Sequence, residues 1–306
     1  MKNKVLMFYN PYSGNGVFKN NLDHIIERYQ EKGYLVIPIR ANKGHDLEDY
    51  IKTIDSEEYH QIVVAGGDGT INICVNLIIK YDLDIPLCIF PSGTANDFAT
   101  YLSLPTDLEQ MIDVGLSDVT VPSDVGIVNG RCFVNVAALG NMIDVSQKTN
   151  PNLKDTLGKA AYYLTAATEI PDLHPIKVKL TTPDKVYDEE MLFMIVMNGE
   201  SAGGFRTLSP LSDLNDGQLN VILFRKRNII ELLPLAVRVL QGEHLNDPKV
   251  LSFKTDKLLI ESDEDIPTDI DGEHGEKVPL DFSVLHNRLN IFVTKGERKY
   301  YETHND

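Results

Sequence analysis

The first 125 residues alternate short apolar runs with longer amphipathic ones, and three of the apolar runs close on a glycine-bearing turn. Val5–Tyr9 reads as a buried strand that stops at Asn10-Pro11-Tyr12-Ser13-Gly14-Asn15-Gly16. Phe18, Leu22, Ile25, Ile26 and Tyr29 then recur at spacings of 3 and 4, the repeat of one helix face. Tyr34–Ile39 reads as a second strand, and Leu47, Tyr50, Ile51 and Ile54 mark a second helix. Ile62–Ala65 is a third strand, closed by Gly66-Gly67-Asp68-Gly69-Thr70; the helix after it carries Ile71, Val75, Ile78 and Ile79. Leu87–Phe90 is a fourth strand, ending at Pro91-Ser92-Gly93-Thr94. Such alternation predicts a parallel sheet with helices on its faces. Ligands of these sheets bind at the carboxyl ends of the strands, where the three turns fall.

Near Val119 the rhythm changes. Val125–Val128, Cys132–Ala138, Ile176–Leu180, Leu192–Met197 and Leu219–Phe224 are strand-like and often follow one another without helical spacers. Helices are expected near Leu157–Ala167 and Ile229–Leu240, and further strands at Val250–Phe253, Leu258–Glu261 and Leu289–Val293. The expected architecture is an α/β domain over 1–125, which 290–306 can rejoin, and a mostly antiparallel all-β domain over 126–289. The polar tail Lys295–Asp306 is expected to fray.

Charge narrows the partners. The chain holds 29 Lys+Arg against 45 Asp+Glu, a net −16. Without a basic footprint nucleic acid is excluded, as is a broadly cationic membrane anchor. Cys74, Cys88 and Cys132 are too few and too scattered for a disulfide framework or a zinc site, which points to a reducing cytoplasm. The apolar run Val5–Tyr9 is too short for a signal peptide, and no stretch approaches the roughly 18 apolar residues of a membrane span. A soluble, cytoplasmic protein is expected.

The turns carry the first chemistry. In Gly66–Thr70 the glycines let backbone approach a ligand, and the following helix adds its positive end, which suits phosphate. Asp68 among those donors would order the loop or meet a magnesium ion or water beside the phosphates. A plain strand-to-helix turn, with Thr70 as N-cap, is the competing reading. Ser92, Thr94 and Asn96 place neutral hydrogen-bonding groups where ribose hydroxyls or phosphate oxygens could be met, and Asn10–Gly14 supplies a third such turn. Asp213 and Asp216 stand three apart before a strand, a spacing that can wrap a hard cation or form a solvated acidic turn. Asp271-Gly272-Glu273 lies in an acidic stretch; it is either surface or a source of a general base.

Together these motifs resemble the diacylglycerol kinase catalytic family, most of all its soluble bacterial lipid kinases. The resemblance rests on Asn10-Pro11-x-Ser13-Gly14, Gly66-Gly67-Asp68-Gly69-Thr70 and Pro91-Ser92-Gly93-Thr94-x-Asn96-Asp97-Phe98-Ala99, then on Asp216-Gly217 and Asp271-Gly272-Glu273. They keep the family's order over almost the whole chain. The resemblance implies an N-terminal nucleotide-binding α/β domain, like that of phosphofructokinases and NAD kinases, and a C-terminal β-sandwich, with ATP and Mg2+ bound in the cleft between them. It implies that Asn10, Pro11, Tyr12, Ser13, Gly14, Gly66, Gly67, Asp68, Gly69, Thr70, Ile71, Asn72 and Thr94 line the nucleotide. Asp68, Asp97 and Asp124 match acidic positions of the catalytic network. Asp213, Asp216 and the backbone near Gln218 match a structural magnesium loop, and Asp271 and Glu273 the motif with the base role. Gly203-Gly204 with Pro210 completes a family stretch before that loop.

The implied activity is transfer of the γ-phosphoryl group of ATP to a lipid hydroxyl, diacylglycerol to phosphatidic acid in the first instance. Departures stand beside it. The family continues Leu-Asn-Glu where this chain has Ile71-Asn72-Ile73, so a capping box from Thr70 cannot form. Ala41 replaces a common Thr, and Asn15, Thr100 and Thr165 replace common basic residues. NAD kinase, which shares the Gly-Gly-Asp-Gly-Thr turn, and a catalytically weak nucleotide- or lipid-binding protein are the alternatives. The expected partner is a lipid substrate at a membrane surface, met by brief peripheral contact. Arg225-Lys226-Arg227 is the one dense basic cluster available for that contact, although a solvated strand end is the plainer reading. The β domain leaves a homodimer open.

Overall fold

This computed structural model describes residues 2–41, 47–140, 174–200, 208–209, 212–228 and 231–296. The expected helix at Leu157–Ala167, Thr165, Gly203-Gly204, Pro210 and the tail from 297 lie outside the described residues. The chain forms two compact units: Met1–Asp124 with Asn287–Asp306, and Val125–His286.

The first unit begins with β1 (Lys4–Tyr9), α1 (Val17–Asn20), α2 (Leu22–Glu31), β2 (Leu35–Arg40) and α3 (Leu47–Ile51). It continues through β3 (Tyr59–Gly66), α4 (Asp68–Lys80), β4 (Leu87–Pro91), α5 (Asp97–Tyr101) and α6 (Leu108–Gly115). Strands β2, β1, β3 and β4 lie side by side in that order, all parallel. Alternate residues face opposite sides of such a sheet. On one side Val5, Met7, Val63, Ala65, Cys88 and Phe90 pack with Ile25 and Tyr29 of α2 and Met111 and Ile112 of α6. Burial pushes the Cys74 thiol up to about 12 and raises that of Cys88 as well, so both behave as apolar filler. The helix expected from Phe18 to Tyr29 is broken at Asn21, whose side-chain amide donates to the Val17 carbonyl at 2.8 Å. A side chain that bonds local backbone in this way competes with the helical ladder.

Strand β5 (Thr120–Val128) carries the chain out of this unit. The second unit contains β6 (Arg131–Phe133), β7 (Val136–Gly140), β8 (Ile176–Thr181), β9 (Val186–Met197), β10 (Leu219–Arg225) and α7 (Leu232–Gln241). After these come β11 (Val250–Thr255), β12 (Lys257–Glu261), β13 (Thr268–Ile270), β14 (Glu273–His274) and β15 (Leu280–Phe292), which leads back. Its pairings are antiparallel, and β9 organises them: its first half pairs with β8, its second half with β7 and β10. Along β10 the period of 2 is plain. Leu219, Val221 and Leu223 enter the main core with Phe133, Leu180, Val196 and Phe282, whereas Ile222 and Phe224 pack under Leu235 and Val239 of α7.

The run Cys132–Ala138, expected as one strand, is two, because the backbone amides of Val134, Asn135 and Val136 turn to the carboxylate of Asp271. Asp124 is fully buried and accepts the amide of Asn287 at 2.6 Å, tying the residue where the chain leaves the first unit to the residue where it returns.

Candidate active site

In the first unit the three expected turns sit at the ends of the adjacent strands β1, β3 and β4. The strand order reverses between β1 and β3, the position where open parallel sheets bind ligands. The turns are joined by backbone. The Ser13 hydroxyl donates to the Ser92 carbonyl at 2.9 Å, and the Ser92 amide donates to the Gly66 carbonyl at 2.9 Å. The approach of two glycines is closer still: a Cβ on Gly93 would lie 2.5 Å from the Cα of Gly67, and one on Gly67 would lie 3.0 Å from the Cα of Gly93. Gly14, at φ +56°, would place a Cβ 2.9 Å from the Ser92 carbonyl oxygen. Gly69, by contrast, faces open space.

Several side chains expected to face a ligand hold the turns instead. The Asn10 side chain accepts the Tyr12 amide at 3.0 Å. That of Asn96 accepts the Gly93 amide at 2.7 Å and donates to the Gly93 carbonyl at 2.9 Å. Asn96 thus builds the turn, the Ser92 hydroxyl is buried without a hydrogen-bond partner among the described residues, and Thr94 stands exposed. Pro11 is buried, and Tyr12 is exposed beneath the Arg40 guanidinium, 5.8 Å from its ring centre. Helix α4 starts at Asp68 with Gly67 as its N-cap, so Thr70 is inside the first turn and caps nothing. The capping-box argument at Ile73 therefore falls, and Ile73 is exposed. Asp68 accepts the Phe98 amide at 3.4 Å, which links the second turn to α5. Ile71, Asn72 and Asp97 are buried. Ala41, Asn15 and Thr100 carry no charge in place of the family's basic or hydroxyl groups, and Asn15 and Thr100 are exposed.

The second unit contributes carboxylates. Asp271, at φ +50°, spends both oxygens on backbone: Oδ2 accepts the amide of Val134 at 2.8 Å, and Oδ1 accepts those of Asn135 at 3.1 Å and Val136 at 2.9 Å. It anchors this stretch of chain, which leaves Glu273 the more exposed of the two carboxylates. Glu273 is exposed and its Oε2 accepts from Nη2 of Arg131 at 3.0 Å. His274 is exposed, as its surface reading expects.

On the third acidic loop, Asp213 accepts the Asn215 amide at 3.4 Å. Asp216 accepts the Gln218 amide at 2.9 Å and the Lys254 ammonium at 2.6 Å. Among the described residues no group of three or more His, Cys, Asp or Glu side chains is placed to hold a metal. The oxygen donors of this loop suit a hard cation, but the ammonium of Lys254 already neutralises Asp216, so magnesium there must displace it.

The basic cluster is not a free cationic surface. Arg225 grips both oxygens of Glu189 at 2.7 Å, Lys226 faces Glu190 at 3.5 Å, and buried Arg227 pairs with Asp247 at 3.3 Å. Among the described residues no helix is long and apolar enough to cross a membrane.

Glycine turns on parallel strand ends in one unit, and a projecting carboxylate in the other, are features that suit a phosphate-handling enzyme of the kinase type. Comparison with known proteins narrows this class. Residues 4–128 match the model of the diacylglycerol kinase catalytic domain, and residues 136–293 match that of the YegS C-terminal NAD kinase beta sandwich-like domain. A diacylglycerol kinase of Bacillus subtilis (strain 168) is 32% identical over 94% of this chain and 96% of its own length. One from Staphylococcus carnosus (strain TM300) is 32% identical over 96% of each. A solved diacylglycerol kinase from Bacillus anthracis str. Sterne superposes with a TM-score of 0.79 at 25% identity, over 96% of this chain and 98% of that one. The chain belongs to the diacylglycerol kinase family and is a lipid kinase with an α/β catalytic domain and a β-sandwich domain.

Sequence reasoning missed Arg131 and the three amides that hold Asp271. The signal for Arg131 was present. Asn129-Gly130 between two apolar runs is the strongest short hairpin signature, and Val128 pairs with Arg131 across that two-residue loop.

Proposed function

We propose that this lipid kinase transfers the γ-phosphoryl group of ATP to a hydroxyl of diacylglycerol, giving phosphatidic acid. The observation that carries the reading is the packing of Gly67 against Gly93, which welds two strand-end turns together and leaves Gly69, in the first turn of α4, facing open space where backbone can meet a ligand. Amides of a first helical turn are the donors that phosphate oxygens take. Relatives named for diacylglycerol over nearly the whole chain support that acceptor.

In this reading Gly66, Gly67, Gly69, Asn72, the Asn10–Gly14 turn and Thr94 hold the nucleotide, with Asp68, Asp97 and Asp124 ordering the chain around it. The lipid hydroxyl oxygen forms a bond to the γ-phosphorus while the bond to the bridging oxygen breaks and ADP departs. The hydroxyl proton passes to Glu273, since the oxygens of Asp271 are committed to amides. The nucleotide-holding groups belong to the first unit and the base to the second. Asp213, Asp216 and the backbone near Gln218 would hold a structural magnesium, in competition with Lys254, and a magnesium ion carried with ATP would neutralise phosphate charge. A membrane-borne acceptor calls for brief surface contact, and the paired Arg225–Arg227 cluster is not the means.

The test uses the purified full chain with ATP and Mg2+, offered diacylglycerol, a sphingoid base and a polyprenol in mixed micelles, and NAD+ separately. Phosphatidic acid is the expected product. NADP+ in its place would move the chain to the other enzyme class that shares this β domain. Glu273→Gln is expected to lower kcat by about 10²–10⁴. Full activity in that variant would sink the base assignment.

A further inference from the structure

The hairpin that carries Glu273 is fixed by one short stretch of chain, residues 131–136. At its far end the amides of Val134, Asn135 and Val136 bond the Asp271 carboxylate, and the Asp271 amide donates back to the Val136 carbonyl at 2.9 Å. At its near end Arg131 reaches the other arm of the hairpin twice. Its Nη2 donates to Oε2 of Glu273 at 3.0 Å, and its Nη1 donates to the carbonyl of His274 at 3.1 Å.

Arg131 is itself held in place. It is the first residue after the Asn129-Gly130 turn, where both residues have positive φ, at +48° and +85°. Asn129 is clamped in turn: its amide donates to the Asp281 carbonyl at 3.0 Å, and its side chain accepts the Asp281 amide at 2.8 Å. The side chain of Arg131 is half-buried at 26% exposure, whereas that of Glu273 is 58% exposed. A glutamate that exposed, on a two-residue strand, would sample several rotamers without a partner. The planar guanidinium engages one carboxylate oxygen and the adjoining main chain together, which fixes both rotamer and backbone. Oε1 has no protein partner among the described residues and stays available.

We infer that Arg131 is a positioning residue for the proton acceptor, holding Glu273 by Oε2 so that Oε1 meets the lipid hydroxyl. The inference rests on the reading of Glu273 as the base. Its contacts are with Glu273 and His274, so in this assignment Arg131 acts through the carboxylate. A base displaced by about 1 Å loses one to two orders of magnitude in rate, so the effect belongs in kcat and not in nucleotide binding.

The experiment is a double-mutant cycle on the full chain with ATP, Mg2+ and diacylglycerol in mixed micelles. Arg131→Met is expected to lower kcat about ten-fold, with the KM for ATP unchanged. Arg131→Lys, which keeps a point charge but not the fork, is expected to recover part of that loss. In a Glu273→Gln background Arg131→Met is expected to cost nothing further, because the group it positions no longer takes a proton. The idea is overturned by a wild-type kcat in Arg131→Met, or by the same fractional loss in both backgrounds, which a merely structural role would give. If Arg131→Met melts several degrees below wild type, the same cycle run with Arg131→Lys decides by the same two criteria. Should Glu273→Gln alone keep full activity, the base reading fails. Should Glu273→Gln lose activity while the Arg131 effect stays additive, only this inference fails.

Discussion

At the strand-end turns of the first unit the surface left for a ligand is backbone, while the hairpin of the second unit offers a side chain. Around Gly67 and Gly93 the polar side chains of Asn10 and Asn96 bond turn backbone and shape it, and the Ser92 hydroxyl is buried. Around Glu273 the arrangement is reversed: backbone amides and Arg131 hold two carboxylates, one of which projects outward. A site made of amides is sensitive to any added carbon that separates its turns, and tolerant of the side chains around it. A site made of one carboxylate depends on that residue and on what aims it.

Substitutions can break this contrast. The largest stability effect is expected for Asp271→Ala, which strands the amides of Val134, Asn135 and Val136 and should cost about 2–4 kcal/mol. Thermal melting and kcat should fall together, whereas Glu273→Gln should leave melting unchanged. Equal melting temperatures for the two variants would show that the motif is not divided into anchor and base. Next is Gly93→Ala, whose Cβ would lie 2.5 Å from the Cα of Gly67; overpacking of this kind costs about 1–3 kcal/mol. Gly69→Ala is its control. With nothing within 4 Å it should leave stability equal or raise it by less than about 1 kcal/mol, while raising the KM for ATP. Similar melting losses at both glycines would erase the distinction between a welding position and an open one.

The smallest effect concerns pH. The Arg225 guanidinium, through its hydrogen bonds, holds the Glu189 carboxyl below its ordinary value of 4.5. A depressed folded-state pKa gives stability that is present above the unfolded value and is lost as pH falls through the folded one. Glu189→Gln should therefore flatten the acid limb of the melting profile, by no more than about 1 kcal/mol because the pair is partly solvated. An unchanged acid limb would show that this pair does not contribute.

The strands that lead to the turns were readable because each ends an apolar run at glycine or proline, and the period of 2 along β10 was equally open. Less could be read from residues whose meaning depends on distant chain. Asn96 and Thr94 look alike as hydrogen-bonding residues, and only the fold shows that one is spent on Gly93 and the other exposed. Asp271 and Glu273 are two residues apart in an acidic stretch, and their division follows from amides some 135 residues earlier. Arg225-Lys226-Arg227 reads as a basic patch until Glu189, Glu190 and Asp247 are set against it.

The bond between Asp124 and Asn287 has a consequence for how such a chain can be remodelled. Because the residue before the second unit and the residue after it hold each other at 2.6 Å, the first unit's two segments already end side by side. A loop of about three residues spans such a gap. In genetic terms the second unit is an insertion that leaves and rejoins the first at one clasp, with β1 to β4 left unbroken. A recombined gene would have to preserve an acid at 124 and a residue other than proline at 287.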